Sequence, residues 1–308
     1  IIVDNIIGEE EENLILSFLD YNIPFVIIHN KSDLVKLQPE FKNAIEKRYN
    51  CMVMEFSAAT VTDNDQLLKV LAAAMPETAY TSNALVGGLF KSGEAVLLIT
   101  PIDNEAPEGR MILPQVQAIR DILDHDGIVM ICKENDVEDF IRKARPRPAL
   151  AITDSQVFGK IGNHVPDDIP LTSFSILLAR QRGDFQNYLK GTPHLADLKD
   201  GDRILILESC THHVTCDDIG RHKIPSWLSK YTKKELDFDV VAGLGQLPRD
   251  IKSYAIVIQC GGCVLTRKQV VNRVKAAVDA GVPVTNYGMT IAWIHGIYHR
   301  AVGLFNII

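Results

Sequence analysis

Short apolar runs recur along the chain, each separated from the next by a stretch whose apolar residues fall at helical spacing. IPFVIIH, CMVMEF, EAVLLIT, ALAIT, RILILES and YAIVIQ are such runs, with FKNAIEKRY, QVQAIRDILDH and RKQVVNRVKAAVDAG among the stretches between them. A strand apolar at successive positions must be covered on both faces, and parallel sheets crossed by helices provide that cover. The expected fold class is therefore α/β. The rhythm breaks at PETAYTSNALVGG, which reads as a linker, and RPRP at 145–148 marks a boundary before ALAIT because each proline removes a backbone donor. Three blocks are expected, over 1–78, 86–170 and 171–308, with the helix TSFSILLARQ opening the third.

At 308 residues with 46% hydrophobic and 23% charged content, each block can bury a core. The net charge of -7 argues against nucleic acid as a partner, since phosphate neutralisation needs clustered Lys and Arg. No apolar run reaches the roughly 18 residues that a membrane helix requires, so no membrane partner is expected. Six cysteines dispersed over this length do not make a secreted disulfide framework, and the cytoplasm is the expected compartment. The run IIVD reads as a buried strand at the very start, without an initiator methionine, so a longer parent chain is expected.

The first block carries HNKSD after IPFVIIH and FSAAT after CMVMEF. In a parallel sheet the ends of both strands lie on one edge, where doubly wound folds bind ligands. The pairing resembles the guanine-reading half of a Ras-like GTPase. On that reading Asp33 accepts hydrogen bonds from the guanine ring N–H and exocyclic amine, Asn30 braces the two loops, the Lys31 stem covers the base, and Ser57 and Ala58 complete the site. The Gly-rich phosphate cradle is missing: GGLFKSG at 87–93 has no Gly before its Lys and no strand leading into it, so hydrolysis by this stretch of sequence is not expected.

The third block carries two thiol half-sites. ESCTHHVTC holds Cys210, His212 and Cys216, and QCGGC, fifty residues after Cys210, holds Cys260 and Cys263. Each half-site follows an apolar strand. If those strands are parallel members of one sheet, Cys210, Cys260 and Cys263 converge on one edge, with Gly261 and Gly262 allowing the tight turn. Three thiolates and one variable position suit either an iron–sulfur cluster or a zinc site, and residue softness does not separate them. A CxxC dithiol exchanging a disulfide is a third option, though it leaves CTH unexplained. Cys216 reads as a bystander, and Cys51 and Cys132 as small core residues.

CTHH followed by DDIGRHKIP, a strand ending in CGGC, VPVTNYG, the upstream NKSD and the intervening PEGRMILPQVQAIRDILDH together resemble the HydF family of FeFe-hydrogenase maturation GTPases over the whole chain. The resemblance implies a partial GTPase domain over 1–78, a dimerisation domain over 86–170 and a 4Fe-4S cluster domain over 171–308. It also implies GTP with Mg²⁺ and K⁺, a di-iron precursor carried transiently, a homodimer, and work with two radical-SAM maturases and the apo-hydrogenase. The family pattern is CxH, a long spacer, then HCxxC. Cys210, His212, Cys260 and Cys263 fill it, but Gln259 stands where the family has His, which opens the fourth ligand position to His212, water, Glu208, Asp217 or Asp218. The competing reading is a regulatory GTPase stabilised by a structural Cys₃ zinc site.

Overall fold

A computed structural model of the chain describes residues 1–20, 23–60, 64–75, 84–102, 109–209, 218–243 and 245–305. They form an α/β protein divided into two units, 1–82 and 83–308.

The first unit alternates β1 (Ile2–Val3), α1 (Glu9–Asp20), β2 (Val26–His29), α2 (Pro39–Tyr49), β3 (Met52–Glu55) and α3 (Asp65–Ala74). The strands pair in parallel in the order β1-β2-β3. The local sequence explains the elements: Pro39 sits in the first turn of α2, where its missing N–H costs nothing, and Asn50 closes the helix in the left-handed conformation. Val3, Ile15, Ile27, Ile45, Tyr49 and Val53 form the core.

The second unit contains two four-stranded parallel sheets. The first uses β4 (Ala95–Ile99), α4 (Leu113–Asp124), β5 (Ile128–Cys132), α5 (Val137–Lys143), β6 (Pro148–Thr153), α6 (Phe158–Ile161), β7 (Leu171–Ser173) and α7 (Phe174–Arg182), with strand order β5-β4-β6-β7. The second follows with α8 (Phe185–Gly191), β8 (Arg203–Glu208), a π-helical turn at Ile219–Lys223, α9 (Ile224–Thr232), β9 (Asp237–Ala242), β10 (Ile256–Gln259), α10 (Arg267–Asp279), β11 (Val284–Asn286), α11 (Tyr287–Ile294) and α12 (Tyr298–Gly303). Its order is β11-β10-β8-β9.

All five residues of β4 and all four of β10 are buried, as strands covered on both faces must be. One core runs from Leu97, Ile99 and Ala151 of the first sheet to Leu205, Ile206, Val257 and Ile258 of the second. A smaller core lies between the first sheet and α4 and α7. The helix expected from Thr172 starts later: Leu171–Ser173 pairs with β6, and α7 begins at Phe174, with the Ser173 hydroxyl capping it by accepting from Ile176 N. Among the described residues no helix is long and apolar enough to cross a membrane.

Candidate functional site

In the first unit β2 and β3 lie side by side with His29 opposite Glu55, so the two motifs leave the same edge together. Asn30 Oδ1 accepts from Ala58 N at 3.1 Å, and Ser57 Oγ donates to Asp33 Oδ1 at 2.5 Å. Ser32 N donates to Phe56 O at 3.2 Å, which draws the loops together a third time. Lys31 takes the left-handed conformation, with φ of 60°. Buried His29 fixes the base of this turn through Nε2 and Val35 O at 2.8 Å. Asn30, Asp33, Ser57 and Ala58 are thus joined by direct bonds, and Lys31 and Asp33 face solvent.

In the second unit β8 and β10 are adjacent and parallel, with Leu207 opposite Gln259. The chain adds β9 on one side of β8 and then returns to add β10 on the other, so the strand order reverses between β8 and β10. Such a reversal opens a crevice beyond the strand ends. A cavity of about 540 Å³ occupies it, with Ser209, Cys260, Gly262 and Cys263 in its wall. Ser155 and Ser175 of the first sheet's connections face it too, as do the apolar side chains of Met111, Leu113, Phe174 and Ile291.

The sequence builds this wall locally. Cys260 follows β10 directly, Gly262 turns the chain with φ of 61°, and Thr266 starts α10 with a capping box in which its N–H donates to Gln269 Oε1 at 2.9 Å. A Cβ at Gly262 would stand 2.6 Å from Val270 Cγ2, so the position requires glycine for space as well as for φ. Cys260 is 6% exposed, and its Sγ accepts from Ser209 N at 3.0 Å.

Two arginines grip this region. Arg182, the last residue of α7, donates to the carbonyls of Cys263 at 2.7 Å, Leu265 at 3.2 Å and Gly262 at 3.4 Å. A peptide's N–H points opposite to its C=O, so the N–H groups of Cys263 and Val264 are turned away from Arg182. Arg273 of α10 donates to Ser209 Oγ at 2.7 Å and to Val241 O at 3.2 Å, and burial depresses its pKa below the ordinary arginine value. Sequence patterns gave no sign of either residue, because each comes from a helix and meets the turn only through tertiary packing.

Among the described residues no three His, Cys, Asp or Glu side chains are placed to hold a metal ion. Cys210, His212, Cys216 and Asp217 lie outside the described residues, so the described part of the thiol set is Cys260 and Cys263. Their soft sulfurs, a backbone N–H on the Cys260 sulfur and a nearby guanidinium suit an anionic metal–thiolate group. Glu208 is committed elsewhere: Arg221 grips it with two nitrogens, at 2.9 Å from Nη2 and 3.0 Å from Nε to Oε2. Asp218 caps the π-helical turn, accepting from Arg221 N at 2.8 Å. Gly220 passes so close that a Cβ there would lie 2.1 Å from Tyr287 Oη.

Gln259 is fully buried and bonded to Ser209 Oγ and Cys260 O through Nε2. Cys51 and Cys132 are half-buried beyond this site, and burial pushes the Cys132 thiol up to about 11.

Two family models match the chain. Residues 85–183 match one described as the hydrogen maturase F dimerization domain, and residues 186–304 match the hydrogen maturase F tetramerization domain. No curated protein matches the chain.

Proposed function

The chain belongs to the hydrogenase maturase F family, which serves hydrogenase maturation, and from that premise we propose that it is an iron–sulfur scaffold that carries a di-iron precursor to the hydrogenase. The observation that carries this reading is the cavity of about 540 Å³ walled by Cys260, Cys263 and Ser209, the residue before Cys210. A structural zinc site needs no such room, because four ligands close around a single ion. The volume instead falls in the range of small-molecule pockets, roughly 300–1,000 Å³.

Cys210, Cys260 and Cys263 would hold a 4Fe-4S cluster, with His212 as candidate for the fourth position. A cluster held there would supply iron–sulfur chemistry, with the fourth iron position exchangeable because no cysteine fills it. The chain's own residues do the rest. The Ser209 N–H stabilises the Cys260 sulfur, Met111, Leu113, Phe174 and Ile291 limit water, and Arg221 neutralises Glu208 so that this carboxylate does not compete for metal.

The edge formed by Asn30, Lys31, Asp33, Ser57 and Ala58 would read guanine, with GTP, Mg²⁺ and K⁺ acting as a switch on partner release in the protein that also carries the phosphate cradle. Partners would be a second copy, two radical-SAM maturases and the apo-hydrogenase. Edge strand β5 supports self-association, since Ile128 and Ile131 are 43% and 44% exposed and its outer edge pairs with no strand among the described residues. The domain division 1–78, 86–170 and 171–308 belongs to the same proposal.

Anaerobic reconstitution tests the reading. Wild type is expected to turn brown, to contain iron and sulfide in equal amounts, and to give a paramagnetic signal on reduction, whereas Cys260→Ser loses most of its iron. A colourless wild type holding zinc would overturn the proposal.

A further inference from the structure

Ser209 directly follows β8, is 5% exposed and lines the cavity. Its hydroxyl is the meeting point of two donors. Gln259 Nε2 lies 3.1 Å from Ser209 Oγ and 3.2 Å from the carbonyl oxygen of Cys260. A carbonyl oxygen can only accept, so the amide face beside it must be the NH₂, and this fixes which way the glutamine points. Arg273 Nη1 lies 2.7 Å from the same Oγ, and a guanidinium can only donate. A hydroxyl has two acceptor positions and one proton. Gln259 and Arg273 fill both acceptor positions, so the proton of Ser209 must leave in a third direction, and among the described residues no acceptor takes it.

We propose that Ser209 donates this hydrogen bond to an anionic ligand held in the cavity, and that Arg273 acts through Ser209 to place positive charge beside that ligand. Arg273 suits the role. Its bonds go to the neutral Ser209 Oγ and Val241 O, and it forms no ion pair among the described residues, so its charge is not spent on a carboxylate there. Ser209 then aims two donors at the thiolate region: its N–H at Cys260 Sγ, and its O–H at the ligand. The ligand class is a sulfur-rich anion, either the cluster sulfides or their thiolates, and the inference rests on the iron–sulfur reading above. Hydrogen bonds and positive charge at cluster sulfur favour the reduced form and raise the reduction potential. Ser209 and Arg273 are positioning residues in this scheme, because the iron ligands themselves are cysteines. Gln259 supports the arrangement through its NH₂, which is committed to Ser209 Oγ and Cys260 O.

The test uses the full chain, reconstituted anaerobically, with iron and sulfide content measured first and the midpoint potential then followed by electron paramagnetic resonance. Ser209→Ala is expected to shift the potential to more negative values and to remove one exchangeable-proton coupling in electron–nuclear double resonance. Ser209→Thr keeps the hydroxyl and is expected to keep both. Arg273→Gln should shift the potential in the same direction, Arg273→Lys should shift it less, and the double variant Ser209→Ala/Arg273→Gln should go no further than the larger single change. Unchanged potential and coupling in Ser209→Ala, at wild-type iron content, overturn the hydrogen bond. Additive shifts in the double variant overturn the relay. If both Ser209 variants lose iron, Arg273→Gln decides, and an unchanged potential there overturns the inference. A wild type that takes up no iron overturns the cluster reading, and this inference with it.

Discussion

Two strand edges, one in each unit, present motifs of similar design and meet opposite fates. At the first, β1, β2 and β3 follow one another without reversal, and the loops after β2 and β3 close directly on each other through Asn30–Ala58 and Ser57–Asp33. What is left is an exposed polar face. At the second, the strand order reverses between β8 and β10, and a chamber lies beyond the strand ends whose wall includes the 6% exposed Cys260. Strand ends deliver side chains in both cases. Strand order decides whether those side chains meet each other or surround a space.

Cys132 offers the sharpest probe of that contrast, because it ends edge strand β5, which belongs to a different sheet from the reversal at β8 and β10. With its thiol raised from 9.0 to about 11 by burial and then by Asp136, it carries about a hundredfold less thiolate at pH 8 than an ordinary cysteine. Alkylation of the metal-free protein, read by mass spectrometry, should leave Cys132 unmodified longest, with a rate that climbs as pH approaches 11. Fast labelling at pH 8 would mean that a strand end alone activates a thiol.

Asp33→Asn probes the open edge. In the protein carrying its complete nucleotide site, exchanging the carboxylate for an amide removes a charge-assisted pair worth about 2 kcal/mol, or about 30-fold in guanine-nucleotide affinity. Xanthine nucleotides, whose C2 oxygen accepts from an amide, should gain in relative terms, and calorimetric titration with both would register the exchange. Equal loss for both bases would remove Asp33 from base reading.

The smallest effect is expected at the chamber's support. Arg182→Ala deletes donors to two carbonyls of the CGGC turn and to that of Leu265 just after it, a loss of about 1.5 kcal/mol in unfolding free energy. Urea titration should show that loss, together with faster removal of iron by a chelator. Arg182→Lys should fall in between, because one ammonium cannot span the same fork.

The pattern of apolar runs is enough to reach the parallel α/β class, and the half-sites approach only if their strands share one sheet, as β8 and β10 do. Spacing along the chain also placed Asn30 and Asp33 opposite Ser57 and Ala58, since two parallel neighbours end on the same side. Other features were not legible. Thr172 and Ser173 read as the start of a helix because they run without a break into α7, and only pairing with β6 makes them part of a strand. Arg182, Ser209 and Arg273 carry no motif. They converge through packing between helices and strands separated by tens of residues, which a one-dimensional pattern does not encode.

Between the two segments matched by the family models, α7 ends at Arg182 and α8 starts at Phe185, so only Gly183 and Asp184 join them. A tether this short allows no independent tumbling, and Ile176 and Ala179 before it share one continuous apolar interior with Tyr188 after it. Cutting the chain there would leave each half with a raw greasy surface, so the pair inherits, melts and diffuses as a single body even though its parts are recognised separately.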